Sequence, residues 1–118
     1  MFSDKILAHF REPRNVGDLT DATHRSEVTN PVCGDVLRLS VRVSGDRIIA
    51  ASFKAQGCVP AIAAGSAITV MLVGKSLAEA RQITPDEIAS ALGGLPQASR
   101  HAVELCCEAI AALSSGKI

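Results

Sequence analysis

Length, composition and charge limit this chain to a few classes of protein. Its 118 residues suit one domain over residues 1–118, and the 47% of hydrophobic residues are enough to fill a modest core. Twelve basic and twelve acidic residues cancel, so the charge gives no reason to expect nucleic acid or an anionic membrane surface as a partner.

The first elements in chain order are a short helix and a long loop. In "SDKILAHFRE", Ser3 is a good N-cap, Ile6 and Phe10 share an apolar stripe, and Pro13 ends the helix. The next stretch is rich in Asp, Asn, Thr, Gly and Pro, which predicts a loop. We expect a short strand within that loop, over residues 25–28.

Two alternating runs around a turn predict an antiparallel hairpin. In the first run, residues 36–43, one face carries Leu37, Leu39, Val41 and Val43. The letters "SGDR" then have the composition of a turn. In the second run, "IIAASFKA", the residues expected in phase on one face are Ile49, Ala51 and Phe53.

A long apolar helix is predicted after the hairpin. Pro60 fits its first turn and Gly74 fits its C-terminal stop. Residues 61–73 between them are apolar nearly all round, which is typical of a helix packed on a sheet. Gly65 lies inside this helix and predicts close packing of its backbone against a neighbour.

The remaining elements are helical. The capping boxes "SLAE" and "TPDE" predict short helices over residues 77–82 and 85–92, and a last helix is predicted over residues 98–113. The order of a helix, two or three strands and then helices predicts an α+β fold. We expect a small antiparallel sheet of about three strands, with an N-terminal short helix and with the helices packed on one face.

The redox state of the four cysteines depends on the cellular compartment of the protein. Asp4 and Lys5 interrupt any apolar N-terminal region, which argues against a signal peptide, and no apolar run approaches the roughly 20 residues of a membrane span. We therefore predict a cytoplasmic location, where thiols stay reduced. Reduced cysteines there are packing residues, metal ligands or redox and sulfur carriers.

Two of the cysteines flank the predicted hairpin. Cys33 lies in the loop "NPVCGD", two residues before Asp35, and Cys58 directly precedes the helix that Pro60 opens. Amides and the positive dipole end at a helix N-terminus stabilise a thiolate at Cys58. The alternatives are an ordinary turn at Cys33 and a small apolar residue at Cys58. Both ends of a hairpin lie at one edge of the sheet, so the two thiols can come close.

The last helix carries the other two cysteines and a histidine. His101 lies near its start, where the imidazole can face the hairpin edge. Ala102 and Cys106 are four residues apart and share a helix face, whereas Cys107 points about 100° away from Cys106. Core packing is the alternative for both cysteines. Together, two cysteines, a histidine and a carboxylate suit Zn²⁺ or an iron–sulfur cluster.

Several motifs in order resemble one family. These are the opening "SDKILAHFREPRNVG", then "NPVCGD", "GC" before a long apolar helix, "GKSLAEA", and "LP" followed by a histidine on the last helix. Over residues 2–113 the chain resembles the IscU/NifU-type iron–sulfur cluster assembly scaffolds, that is, the NifU N-terminal domain, with a SufE/NifU-like fold. The resemblance implies a scaffold rather than an enzyme. On it a 2Fe–2S cluster forms transiently, with sulfur from a cysteine desulfurase, and passes to acceptor apoproteins.

The resemblance also implies site residues. Cys33 and Cys58 match two cluster-ligand cysteines, and Asp35 matches a carboxylate that ligates the cluster and keeps it labile. His101 matches the histidine beside the family's third cysteine. Family members often bind Zn²⁺ at the same site, which makes Zn²⁺ an alternative occupant.

The chain departs from the family pattern at two places. The family's third cysteine follows the histidine directly, and here that position is Ala102. Cys106 lies one turn later, displaced about 6 Å along the helix axis, so we expect His101 to complete the site with Cys106 in reserve. The family's chaperone motif Leu-Pro-Pro-Val-Lys is replaced at its last three positions by Gln97, Ala98 and Ser99. This change argues against recognition by a dedicated Hsp70-type chaperone.

Two other functions remain open from the sequence. One is a zinc-bound sulfurtransferase, in which a cysteine thiolate takes persulfide sulfur and hands it on. Relatives of that kind carry an insertion before the last helix, and the segment between Cys58 and His101 has no spare residues for one. The other is a paralogue that has kept the fold and lost cluster assembly, for which Ala102 is the best support.

Overall fold

The computed structural model describes residues 2–115. Its elements in chain order are helix α1 (Asp4–Arg11), strands β1 (His24–Thr29), β2 (Val36–Ser44) and β3 (Arg47–Gln56), helices α2 (Val59–Leu72), α3 (Leu77–Ala80), α4 (Pro85–Ala91) and α5 (Arg100–Ala111), and strand β4 (Ser114–Ser115). A 3₁₀ turn over Gln97–Ser99 leads into α5. The strands form one antiparallel sheet in the order β3-β2-β1-β4.

The predicted α+β architecture is confirmed, with one strand more than expected. The Ser3 hydroxyl caps α1 by accepting the Ile6 N–H, and both capping boxes form at the starts of α3 and α4. The additional strand, β4, is two residues long and pairs with the start of β1. So short a strand has no alternating pattern that a sequence could reveal.

The prediction that Ile49 lies on the same face of β3 as Ala51 and Phe53 is wrong, because the hairpin contains a β-bulge. Arg42 pairs with Ala50, but the next residue, Val43, pairs with Ile48, so Ile49 has no partner across the ladder. An extra residue reverses the alternation of faces beyond it. Ile48 is therefore buried at 1% exposure, and Ile49 is 48% exposed.

The core lies between the sheet and helices α2 and α5. Helix α2 packs on β3 and α1, and α5 packs on β1, β2, α2 and α4. Gly65 allows the closest approach, since a Cβ there would lie 2.6 Å from the Phe53 ring. The predicted close packing at Gly65 is confirmed. Within residues 2–115, no helix has the length and apolarity needed to cross a membrane.

Buried hydroxyls of α2 anchor the N-terminal segment. The Ser66 Oγ lies 2.7 Å from His9 Nδ1 and accepts the Arg14 N–H at 2.8 Å. The Asn15 amide donates to the Thr69 hydroxyl at 3.0 Å. Burial lowers the pKa of His9, and the nearby Arg14 charge lowers it further by a smaller amount. These contacts fix α1 and the following loop against α2.

Candidate functional site

The open end of the β2–β3 hairpin brings the first two cysteines to one edge of the sheet. Val36 pairs with Gln56 at the end of the ladder. Just beyond that pair, Cys58 is the N-cap residue of α2, and Cys33 lies on the exposed loop that enters β2. The loop is closed by the Asn30 N–H, which donates to the Asp35 carbonyl at 2.8 Å.

Four predicted ligand side chains converge at this edge. The ligand atoms of Cys33, Asp35 and His101 all lie within 4.8 Å of one another. The Cys58 thiol donates a hydrogen bond to Asp35 Oδ2 at 3.4 Å and lies 3.6 Å from His101 Nε2. The residues come from the loop before β2, the start of α2 and the start of α5, so only the fold brings them together.

His101 is held with one ring nitrogen facing the site. Its Nδ1 lies 3.2 Å from the Ala98 carbonyl, in the 3₁₀ turn before α5. A carbonyl can only accept, so Nδ1 carries a proton, and in the neutral ring the lone pair is then on Nε2. Nε2 lies 3.7 Å from Asp35 Oδ2. This is the tautomer and orientation that a metal-binding histidine needs.

The surroundings of the Cys58 thiol favour its protonated form in the free protein. Burial raises its pKa, the Ala61 N–H at the helix start lowers it, and the neighbouring Asp35 carboxylate raises it again. The helix N-terminus therefore acts in the predicted direction, but burial outweighs it. A bound cation would replace this proton, as it does at thiolate metal sites generally.

Cys106 does not join the four converging residues. It is 1% exposed and belongs to the hydrophobic core, and burial strongly raises the pKa of its thiol, with a smaller effect of Cys107. The expectation that Cys106 stands in reserve as a ligand is not supported. Ala102 and Cys106 do share a face of α5, as predicted, but that face packs inward, with Ala102 also 1% exposed.

Cys107 is a packing residue, which is the alternative that the sequence left open for it. Its thiol is half-buried against the core and donates to the Ile83 carbonyl at 3.5 Å. Burial raises its pKa, and the Glu87 and Glu104 carboxylates add to the rise. The neighbouring cysteines therefore have different surroundings and no shared role.

The four converging residues have a donor set that fits a metal ion or cluster. Two thiols, one imidazole nitrogen and one carboxylate suit tetrahedral Zn²⁺ or iron. The site is also open on one side, since Cys33 is exposed and the His101 side chain is 34% exposed, whereas the Asp35 side chain is only 9% exposed. A reagent could reach the Cys33 side from solvent without unfolding the chain.

Two features of the site were missed by sequence reasoning. The Ala98 carbonyl orients His101, and nothing in the residue type signals this. Gly57 lies in close contact with the Asp35 carboxylate, since a Cβ built on Gly57 would be 2.6 Å from Asp35 Cγ. A glycine directly before Cys58 was the available signal, since glycine permits close approach of another group to the backbone.

The comparisons with known proteins identify the family of this chain. Residues 1–115 match the family described as the NifU-like N terminal domain. The chain belongs to this family. It is 44% identical to the iron-sulfur cluster assembly scaffold protein IscU 1 of Archaeoglobus fulgidus, over 93% of this chain and 72% of that protein. It is 40% identical to the IscU of Rickettsia prowazekii, over 94% of this chain and 87% of that protein.

Solved structures of NifU-like proteins share the fold. A putative SUF-system scaffold protein from Fervidobacterium islandicum superposes with a TM-score of 0.75 at 18% identity, covering 93% of each chain. The N-terminal part of a NifU-like protein from Brucella abortus gives 0.72 at 12% identity, covering 92% of this chain and 91% of that one. The predicted NifU-like fold and the resemblance to IscU and NifU are confirmed.

Proposed function

We propose that this member of the NifU-like family is a scaffold on which a 2Fe–2S cluster forms transiently, and from which the cluster passes to acceptor apoproteins. The observation that carries the proposal is the convergence of Cys33, Asp35, Cys58 and His101 at one open edge of the sheet. Relatives named as iron-sulfur cluster assembly scaffold proteins support the same function. In this role the chain carries a product and is not a turnover enzyme.

The four side chains supply the number of ligands that such a cluster requires. Two tetrahedral irons that share two sulfides leave four terminal positions. Thiolates of Cys33 and Cys58, the His101 Nε2 and an Asp35 oxygen would fill these positions. Carboxylate oxygen is a harder donor than the soft thiolate that iron–sulfur clusters favour. A mixed set of this kind holds a cluster less firmly than four cysteines do, which suits transfer.

The exposed side of the site suits delivery and release. Cys33 is exposed, and its neighbour Val32 is 93% exposed at the tip of the loop. We propose that a cysteine desulfurase delivers persulfide sulfur at this loop and that acceptor thiols displace the ligands there. All four cysteines are free, which agrees with the reducing cytoplasm as the compartment. The changed motif at residues 97–99 leads us to propose assembly without a dedicated Hsp70-type chaperone.

A zinc-bound sulfur-transfer protein is the second candidate. The donor set of two thiols, an imidazole and a carboxylate suits a single Zn²⁺ as well as a cluster. In that case Cys33, the exposed thiol, would take and pass on the sulfur. A third candidate, a fold that has lost its chemistry, is favoured by Ala102, which leaves the family's third cysteine position without a thiol.

Anaerobic reconstitution with ferrous iron, cysteine, a cysteine desulfurase and an excess of a thiol reductant, which reduces the persulfide sulfur to sulfide, separates the three candidates. Visible absorption and counts of iron and sulfide are the measurements. Sulfide-to-iron charge-transfer bands with equal iron and sulfide, lost when an acceptor apoprotein is added and regained on that acceptor, are expected for a scaffold. Tightly held zinc without these bands would favour sulfur transfer. The absence of both would favour a fold without metal chemistry.

A further inference from the structure

Gly57 lies opposite Asp35, one position beyond the last paired residues of the hairpin. Val36 pairs with Gln56, so the next residues outward are Asp35 on one strand and Gly57 on the other. A Cβ built on Gly57 would lie 2.6 Å from Cγ, 2.7 Å from Oδ1 and 3.0 Å from Oδ2 of Asp35. These distances are well inside the roughly 3.5 Å of non-bonded contact. The Asp35 carboxylate thus occupies the space that any other residue at position 57 would fill.

The backbones on both sides of this contact are held in place. The Asp35 carbonyl accepts the Asn30 N–H at 2.8 Å, and its neighbour Val36 is paired in the sheet. Gly57 is fixed between the end of β3 and the N-cap residue Cys58. Any other residue at position 57 is strained by its backbone, since Gly57 has φ +159°. Because hydrogen bonds and strand pairing hold the two backbones, we expect the collision with the carboxylate to be relieved by rotation of the Asp35 side chain.

Rotation of Asp35 would take the carboxylate out of the site. In the structure its Oδ2 accepts the Cys58 thiol at 3.4 Å and lies 3.7 Å from His101 Nε2. The side chain is only 9% exposed, so it is enclosed by these neighbours and by Gly57. Turning away from Gly57 means leaving the space between Cys58 and His101.

We propose that Gly57 is a positioning residue that keeps the Asp35 carboxylate among the metal-binding side chains. Gly57 itself offers no ligand; its missing side chain sets where the carboxylate lies. The consequence for metal and cluster binding rests on the proposed function, whereas the placement of Asp35 does not. Replacing Gly57 by Ala should remove the contribution of Asp35 while leaving all four ligand residues in the sequence.

A purely structural role for Gly57 makes a different prediction. If glycine were needed only for the backbone at the strand–helix junction, Gly57→Ala would weaken metal binding by the same factor whether or not Asp35 were present. If Gly57 acts through Asp35, the substitution should have little further effect on metal binding in an Asp35→Ala background, because the colliding carboxylate is gone. The loss of stability that comes from the φ of +159° should remain in both backgrounds. A double-mutant cycle separates these two roles.

The test measures the dissociation constant of Co²⁺, followed by its thiolate charge-transfer and d–d absorption. Four proteins are compared: the unaltered chain, Gly57→Ala, Asp35→Ala and the double variant. We expect Gly57→Ala to weaken Co²⁺ binding about 10- to 100-fold, the range for losing a residue that orients a metal site. In the Asp35→Ala background, the same substitution should change binding less than about threefold.

Gly45→Ala is the matched control. Gly45 lies in the hairpin turn at the opposite end of the sheet, with φ +64° and nothing within 4 Å of its Cβ position. This variant should lose some stability through its backbone conformation and keep the Co²⁺ affinity of the unaltered chain. A fall in affinity in Gly45→Ala as large as in Gly57→Ala would overturn the proposal.

Further results also support or overturn the proposal. Unchanged Co²⁺ affinity in Gly57→Ala, or equal weakening in both backgrounds, would overturn the proposal. If Gly57→Ala does not fold, restored folding in the double variant supports the proposal, and a double variant that also fails to fold contradicts it.

A crystal structure of metal-free Gly57→Ala should show the carboxylate rotated away from Cys58. That result stands even if reconstitution fails and the scaffold function is lost, and a carboxylate still 3.4 Å from Cys58 Sγ would refute the placement.

Discussion

In this protein, the two cysteines that meet at one site are far apart in the sequence, whereas the two that are adjacent in the sequence have different surroundings. Cys33 and Cys58 are far apart in the chain, yet both reach the edge where Asp35 and His101 lie. Cys106 and Cys107 are adjacent in the chain, yet one is in the core and the other contacts the Ile83 carbonyl. Adjacency in the sequence is therefore a poor guide to which thiols form a site here.

The physical reason lies in the elements that carry each pair. A hairpin returns the chain to the edge where it started, so residues that flank it are close in space whatever the length of the strands. A helix turns by about 100° per residue, so neighbours on α5 point in different directions. The fold thus exposes one pair of thiols to a ligand and assigns the other pair to packing.

The first expected contrast between the pairs is in metal binding. Cys58→Ala removes a ligand and should lower Co²⁺ affinity at least tenfold, whereas Cys107→Ala removes a packing thiol and should leave affinity within about twofold. Titration of both variants with Co²⁺ measures the difference. Equal losses in the two variants would mean that the pairs do not differ in function.

The second contrast is in chemical reactivity. Cys33 is exposed, so iodoacetamide should alkylate it in the folded protein, whereas Cys106, 1% exposed, should react only when the chain opens. We expect rates that differ by more than about 100-fold, since opening the core costs several kcal/mol. Peptide mass spectrometry over time gives both rates. Comparable rates in native buffer would show that Cys106 reaches the surface.

A third prediction concerns stability. Cys106→Ala leaves a small void in the core and should lower the free energy of unfolding by about 1–2 kcal/mol. The same substitution should leave Co²⁺ affinity unchanged, because the thiol is not among the converging side chains. Urea unfolding and Co²⁺ titration of one sample provide both numbers. A loss of affinity with unchanged stability would restore Cys106 as a ligand.

The smallest expected effect is a decline of stability at high pH. Burial, and then Cys107, raise the pKa of Cys106 from an ordinary value of 9.0, so the folded chain keeps a proton that the unfolded chain loses. The stability is fully present below pH 9 and falls as the pH rises above it, by about 1.4 kcal/mol per pH unit for one thiol. Urea unfolding between pH 8 and pH 10 measures the slope.

Cys106→Ala is the control for this pH dependence. Without the buried thiol the slope above pH 9 should become shallower, and the remainder should come from Cys58 and Cys107, whose pKa values burial also raises. An unchanged slope in Cys106→Ala would show that this thiol does not titrate differently in the folded and unfolded chains.

Local patterns were sufficient for most of the fold. Alternation predicted the hairpin, the capping boxes predicted α3 and α4, and Pro60 with Gly74 bounded α2. The error at Ile49 comes from a bulge, which depends on how two strands pair and leaves no mark within one strand. Strand β4 escaped prediction because two residues have no periodicity.

The site was predictable to the extent that topology determines it. The flanking positions of Cys33 and Cys58 and the motif at His101 were enough to predict that these residues meet. Which face of α5 packs inward depends on the neighbouring elements, so the sequence could not place Cys106 in the core. The close contact between Gly57 and Asp35 likewise appears only when both strand ends are in place.

The most direct test of the account is iron K-edge X-ray absorption on the reconstituted protein. A 2Fe–2S cluster held by Cys33, Asp35, Cys58 and His101 should show, on average, about three sulfur atoms and one nitrogen or oxygen atom per iron. That ratio would support a mixed ligand set at the edge of the sheet. An all-sulfur shell of about four atoms per iron would contradict it, since it would require thiols that the fold keeps away from this site.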